Sequence, residues 1–535
     1  MCGIIGVTGE PDAVPLLLGA LQQLEYRGYD SAGVAMVVDG ALWRERAAGG
    51  TTSVARLGEL CADAPRGPAA AIGHTRWATH GSPTTENAHP HVDCTGRVAL
   101  IHNGIIENHA ELRAELESEG HVLASATDTE VMAHLVERAM AAGATLAEGT
   151  RAMLGRLRGA FSIAVISADE PDVIVAARRS TPLVLGLEDG RALLASDIPA
   201  LIGHTRQVFA LGDDEVAVLT PGSITVTRLD GTPVTPTALK ITWDLEAAQK
   251  GGYEDFMSKE IHEQPRAVGD TLLDRRGAGG ELILDEMRLS ADELRAIDKV
   301  FIVACGSSYH AAMVAKYAIE HWVKLPTEVD IASEFRYRDP VLNERTLCVG
   351  VSQSGETLDT SEATREAARL GAKVLVVSNV VDSSMARAAD GVLYTRAGPE
   401  IGVASTKCHL AQIVALEVLG LYLAQVKGAL PPSEVDRVLT AMEALPALVT
   451  SALARASDVD DVAAKLTDAR DFFFLGRHVG FPVALEGALK LKELAYLRAE
   501  GYPAGELKHG PIALIEPGTV VVGIATRNPL WEKMQ

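Results

Sequence analysis

No pair of cysteines stands at the spacing of a metal or redox motif. The six cysteines (Cys2, Cys61, Cys94, Cys305, Cys348 and Cys408) are scattered over 535 residues, with no C-x-x-C and no Cys/His spacing that suits zinc. A reduced, cytoplasmic setting follows, and no metal is expected. Long apolar runs are missing too. None approaches the roughly 18 residues of a membrane span, and the start MCGIIGVTGE lacks the basic flank of a secretory signal, so neither insertion nor export is expected. Clustered Lys and Arg are also lacking, and the formal net charge is −22, which disfavours nucleic acid as a partner. The same bulk charge repels anionic substrates. A sugar phosphate would have to be held by local backbone N–H groups at helix N-termini and a few placed side chains.

What is present is enough chain for roughly three domains of ordinary size. With 47% hydrophobic and 22% charged residues, the composition is that of a globular α/β protein. Up to about residue 220, short strand-like runs such as VALIHNG, AFSIAVIS and VIVAARR alternate with turns and with helical stretches near 12–24 and 127–143. This predicts an α+β domain with strands packed face to face. Residues 220–290 change character and read as a structured linker, helical over YEDFMSKEIHEQPRAVGDTLLD. From Lys299 the rhythm becomes strand, Gly-rich turn, helix, strand, which means a parallel sheet flanked by helices. Helices are expected near 405–427 and 432–455. The pattern then restarts at DFFFLGRHVGF: Gly306 to Glu334 is 28 residues and Gly476 to Glu506 is 30, so two similar α/β units are expected.

Cys2 follows only the initiator methionine, so removal of Met1 would expose a thiol and an α-amine on one residue. With pKa values near ~8.5 and ~8, the amine is able to accept the thiol proton at neutral pH. Alone, a cysteine here reads as a buried or incidental small hydrophobe. CGIIG at the start, EYRGYDSAG at 25–33, GHTRWATHG at 73–81, HNGIIEN at 102–108 and TDTE at 127–130 together resemble the N-terminal-nucleophile (class II) glutamine amidotransferases. The resemblance covers residues 2–219. It implies that Cys2 attacks glutamine, that Asn103 and Gly104 form the oxyanion hole, and that Arg76 holds the substrate α-carboxylate and Asp128 its α-ammonium. Trp77, Thr79 and His80 would line the pocket. Without the resemblance, Arg76 and Asp128 also read as a surface ion pair and Asn103-Gly104 as a hairpin turn. His74, His89 and His102 read as structural hydrogen-bonding histidines.

CGSSYHA at 305–311 and SQSGETLDT at 352–360 each follow a strand and open a helix, offering N–H groups and hydroxyls to an anion. Singly, such clusters are also ordinary caps and turns. By this reading Ser352, Gln353, Ser354 and Thr357 bind a phosphate, with Ser307 and Ser308 facing it or the sugar hydroxyls. The two repeats resemble sugar isomerase (SIS) domains, at 291–430 and 462–535. EIGVASTK at 400–407, EGALKLKE at 486–493 and GELKHGP at 505–511 resemble their aminotransferase subgroup. Lys490 and Glu493 are three apart and share a helix face. The resemblance implies Glu493 as the base that moves a proton between adjacent sugar carbons, Lys490 as its assistant, His509 in ring opening, and Val403 and Ser405 against the substrate. It further implies transfer of the glutamine amide nitrogen to fructose 6-phosphate with isomerisation, in amino-sugar (hexosamine) biosynthesis, by a homodimer that needs no cofactor.

The second SIS-like repeat reads as incomplete. Family members continue into a tail whose lysine forms a Schiff base with the sugar, so these 535 residues are expected to hydrolyse glutamine and make little amino sugar. The rival readings are a class II amidotransferase with a phosphoribosyl or adenylate acceptor, disfavoured by the SIS-like repeats, and a non-enzymatic sugar-phosphate sensor.

Overall fold

The computed structural model describes residues 2–534 apart from 26, 27, 29, 68, 78–80, 240–251, 278, 285, 286, 382, 403 and 527–529. The chain divides into two compact units, Met1–Gln249 and Lys250–Gln535.

The first unit holds two antiparallel sheets. One has eight strands, with Gly3–Thr8 between Arg191–Ala195 and Ala71–Arg76, and Ser31–Val38 beyond. The other has seven and is centred on Val98–Ile106, Gly159–Ser167 and Glu170–Arg179. Because successive strand residues point to opposite faces, central strands such as Gly3–Thr8 and Gly159–Ser167 are apolar on both sides. Ile4, Ile72, Ile101 and Ile166 meet between the sheets. Ile5 and Val7 pack outward on helix Ala13–Leu24, while Leu100 and Val165 pack outward on the helices His109–Ser118, Glu130–Ala141 and Leu146–Leu154. The result is a helix–sheet–sheet–helix sandwich, which is why the sequence shows unbroken apolar runs in place of alternation.

Strand pairing continues past the expected domain edge at 219. Ser223–Arg228 hydrogen-bonds along Glu215–Thr220, and Thr237–Leu239 along Gln207–Ala210, so the two sheets run on through Leu239. The far part of the expected linker belongs instead to the second unit: helix Phe256–Leu272 buries Val268 and Leu272 in that unit's core.

The second unit opens with a five-stranded parallel sheet in the order Thr327–Ile331, Lys299–Ala304, Thr346–Ser352, Lys373–Ser378, Gly391–Tyr394. Val300, Ile302 and Ala304 face the helices Gly306–Val323 and Lys407–Lys427, while Phe301 and Val303 face Phe335, Ala363 and Met385. Lys407–Lys427 has the length and mean hydropathy (1.4) of a membrane span, unlike the expectation from the sequence. Its buried apolar residues from Val414 to Ala424 lie in the core of this unit. The repeat follows as a smaller parallel sheet with Asp471–Gly476 in the centre, Arg498–Pro503 on one side and Val520–Ile524 on the other. In both sheets the first strand of the motif lies between the next two.

Candidate functional site

Cys2 immediately precedes strand Gly3–Thr8 of the eight-stranded sheet, which pairs with Ala71–Arg76. Its Sγ accepts a hydrogen bond from the Trp77 N–H at 3.2 Å, and burial pushes its thiol pKa up, so the group rests as a thiol. Asn103 comes from the facing sheet, and its Nδ2 donates to the Cys2 carbonyl at 2.8 Å. Gly104 follows with φ +122°, and a Cβ there would lie 2.0 Å from the Ala160 carbonyl, so only glycine fits.

A cluster of histidines stands behind Asn103. His74 Nε2 lies 3.0 Å from both the His102 carbonyl and Asn103 Oδ1, two oxygens that only accept, so this nitrogen carries the proton. That bond fixes the amide of Asn103 with its NH2 toward Cys2. Burial, the largest cause, holds the His74 pKa down to about 3 and those of His89 and His91 well below the usual range. These rings are neutral hydrogen-bonding groups, in line with the structural reading of His74 and His89.

Arg76 is 3% exposed and Asp128 4%, so neither is a surface residue. Arg76 donates to the carbonyls of Gly81 and Ser82 at 3.1 and 3.3 Å. Asp128 Oδ2 accepts from the Ile106 N–H at 2.8 Å, and Oδ1 accepts nothing among the described residues. Glu130 shapes this loop. Burial alone would raise its pKa, but bonds including those from Ser125 and Ala124 bring it down to about 2. Trp77 is 44% exposed, and Thr79 and His80 lie outside the described residues.

In the second unit, Lys299–Ala304 and Thr346–Ser352 are adjacent parallel strands, and the order reverses there, the next strands leading away on opposite sides. Loops at the carboxyl ends of strands at such a switch point form a ligand crevice. After the first strand, Ser307 and Ser308 lie in the first turn of helix Gly306–Val323. The second strand leads through Ser352, Gln353, Ser354 and Thr357 into helix Leu358–Arg369. Ser352 Oγ is 2.8 Å from Thr357 Oγ1 and accepts from the Gly355 N–H at 3.0 Å, while Ser354 Oγ accepts from the Glu356 N–H at 3.1 Å. Gly355 has φ +65°, and a Cβ there would sit 2.0 Å from Ser383 Oγ.

Helix Gly480–Ala495 of the repeat reaches this crevice. Lys490 Nζ lies 2.5 Å from Glu493 Oε2 and 3.3 Å from Glu486 Oε1, and donates to Ser307 Oγ at 3.1 Å. Thus the two motifs, far apart in sequence, meet. Glu486 escaped sequence reasoning, although it opens the EGALKLKE string. It accepts from Ser307 Oγ and pairs with His310 Nδ1, both at 2.7 Å. Burial would raise its pKa, but His310, His409, Lys490 and Ser307 hold it down to about 2. Ser405 Oγ donates to Glu400, whose carboxylate also accepts the Thr406 and Cys408 N–H groups at the start of helix Lys407–Lys427. Helix Phe256–Leu272 pins the same loop, with Glu260 accepting the N–H groups of Ile401 and Gly402. His509 is exposed, and Val403 lies outside the described residues.

Comparison with known proteins matches the glutamine amidotransferase domain over residues 74–203 and the SIS domain over 293–422 and 465–532. The glutamine–fructose-6-phosphate aminotransferase (isomerizing) of Streptomyces coelicolor is 52% identical over 524 residues, which cover 98% of this chain and 85% of that relative. The enzyme of the same name from Mycobacterium tuberculosis is 54% identical, with the same coverage. Among solved structures, the C-terminal domain of glucosamine-fructose-6-phosphate aminotransferase from Francisella tularensis superposes with a TM-score of 0.52 at 42% identity, covering 54% of this chain and 80% of that one.

Proposed function

Because the chain belongs to the glutamine–fructose-6-phosphate aminotransferase family, we propose that its two centres divide the reaction: one frees ammonia from glutamine, the other places it on fructose 6-phosphate and isomerises the product to glucosamine 6-phosphate. In the first centre the Cys2 thiol attacks the glutamine amide carbon. Its proton passes to the α-amine exposed by loss of Met1 and on to the departing ammonia. The oxyanion is held by Asn103 Nδ2 and the Gly104 N–H. Water then releases glutamate from the thioester. Arg76 and Asp128, with Trp77, Thr79 and His80, select a free α-amino acid, because opposite charges at a fixed separation match its carboxylate and ammonium.

In the second centre Ser352, Gln353, Ser354 and Thr357 hold the phosphate, Ser307, Ser308, Val403 and Ser405 contact the sugar, and Lys490 sets Glu493 as the proton-transfer base. His509, exposed on its own chain, serves ring opening in the neighbouring subunit of a homodimer. The six free cysteines fit a reduced, cytoplasmic setting.

The observation that carries the reading is Cys2 Sγ on the Trp77 N–H with the Asn103 amide turned toward the same residue. Alkylation with iodoacetamide tests it. Among the six cysteines, Cys2 is expected to be alkylated in a glutamine-protectable manner in peptide mass spectra, and equal alkylation with and without glutamine would sink the reading.

A further inference from the structure

Apart from the residues of both centres, one group of metal-ligating side chains converges where a turn of the seven-stranded sheet meets the first unit's helical layer. Cys94 lies in the turn after strand His91–Val92, and His121 lies just past helix His109–Ser118. His134 and Glu137 stand three apart on helix Glu130–Ala141. Cys94 Sγ is 3.5 Å from His121 Nδ1 and 3.4 Å from His134 Nδ1. Glu137 Oε2 is 3.3 Å from His121 Nδ1 and 3.4 Å from His134 Nδ1. All four atoms lie within 4.8 Å of one another.

Four of the six donor–donor separations are thus 3.3–3.5 Å and the other two are no longer than 4.8 Å, which matches the edge of about 3.4 Å that ~2.0–2.3 Å Zn–N, Zn–O and Zn–S bonds give a tetrahedral site. Hydrogen bonding alone leaves the group incomplete, since Glu137 Oε2 is buried and makes no hydrogen bond despite two imidazole nitrogens beside it. A cation at the centre supplies what that oxygen lacks. The donor set selects among cations: a thiolate with two imidazoles suits zinc and is poor for magnesium or calcium, which take oxygen ligands. His134 is buried, and its other nitrogen makes no hydrogen bond, its nearest carboxylate oxygen being Glu130 Oε1 at 3.8 Å.

We propose that Cys94, His121, His134 and Glu137 bind one zinc ion. Four protein ligands close the coordination sphere, so the ion is structural and activates no water. Its place in the fold gives it a task. It ties together a turn and two helices that bracket residues 122–129, the segment that ends in Asp128 and Thr129 and whose Ser125 is held by Glu130. Removing the ion loosens the segment that carries Asp128. Only this last consequence rests on the proposed glutamine site; metal binding itself does not.

The test uses the full chain purified without chelator. Metal analysis should find about one zinc per chain in the wild type and in Cys2→Ala, and a loss of most of it in Cys94→Ser and in His134→Gln. Chelator-stripped wild type given cobalt(II) should develop tetrahedral absorption with a thiolate charge-transfer band, which Cys94→Ser lacks. Should either variant fail to fold, Glu137→Gln, which keeps the side-chain shape, should still lower zinc affinity about 10-fold or more. The proposal is overturned if stripped wild type takes up neither zinc nor cobalt, or if Cys94→Ser and Glu137→Gln bind as the wild type does.

Discussion

Asn103 has one geometry in which it is useful, NH2 toward Cys2, and His74 imposes it by donating to Oδ1. Asn103→Ala is therefore expected to lower kcat for glutamine hydrolysis by about 10²–10³ with little change in KM, measured as glutamate release, because an oxyanion donor acts in the transition state. A fall in KM-dependent rate alone would point to substrate binding instead. Gly104→Ala is a different case, since the new Cβ meets the Ala160 carbonyl in a φ +122° backbone. It should cost stability of about 1–3 kcal/mol in urea unfolding as well as activity. At this scale the motifs proposed Cys2, Asn103, Gly104, Arg76 and Asp128 as a set. The partner of Asn103 was not legible, because a buried neutral histidine and a catalytic one look alike in a string of letters.

Helix Phe256–Leu272 shows how an element outside the motifs controls one inside them. Its Glu260, 2% exposed, takes the backbone N–H groups of Ile401 and Gly402, and burial, with Glu400 nearby, raises its pKa to about 7. A folded-state pKa raised above the unfolded 4.5 contributes stability that is full below pH 4.5 and is lost as pH rises through about 7. Glu260→Gln keeps an accepting oxygen and cannot ionise, so its melting temperature relative to wild type should rise between pH 5 and pH 8 (about two test points on either side of the transition). A flat difference would mean that Glu260 stays ionised throughout. On helix Gly480–Ala495, Glu486→Ala strips a carboxylate from Lys490, His310 and Ser307 and should destabilise the second unit by about 3–5 kcal/mol, read by denaturant unfolding. Helices and parallel strands were legible here from apolar rhythm and glycine turns. Two things were not: the sheet extension past 219, since edge strands such as Pro233–Val234 are too short to show a period, and the Cys94, His121, His134, Glu137 cluster, whose members come from three elements with no motif spacing.

At the scale of the molecule, the three cores of the first unit are built entirely from residues up to Leu239, and the main core of the second from Val268 onward. Each unit thus has cores of its own, and calorimetry of the chain should resolve two transitions, with Glu486→Ala moving only one. A single transition shifted as a whole would show that the units unfold together. The division of labour between units was legible from the change in sequence rhythm near residue 299, because sandwich strands and strand–turn–helix repeats leave different patterns. The measurement that bears most directly on the account is glutamate release by the purified chain supplied with glutamine and fructose 6-phosphate, wild type beside Cys2→Ala, with glucosamine 6-phosphate followed in the same samples. The account predicts glutamate from the wild type and none above background from Cys2→Ala. Equal glutamate release from both proteins would contradict it, because the thiol at position 2 would then have no part in breaking the amide.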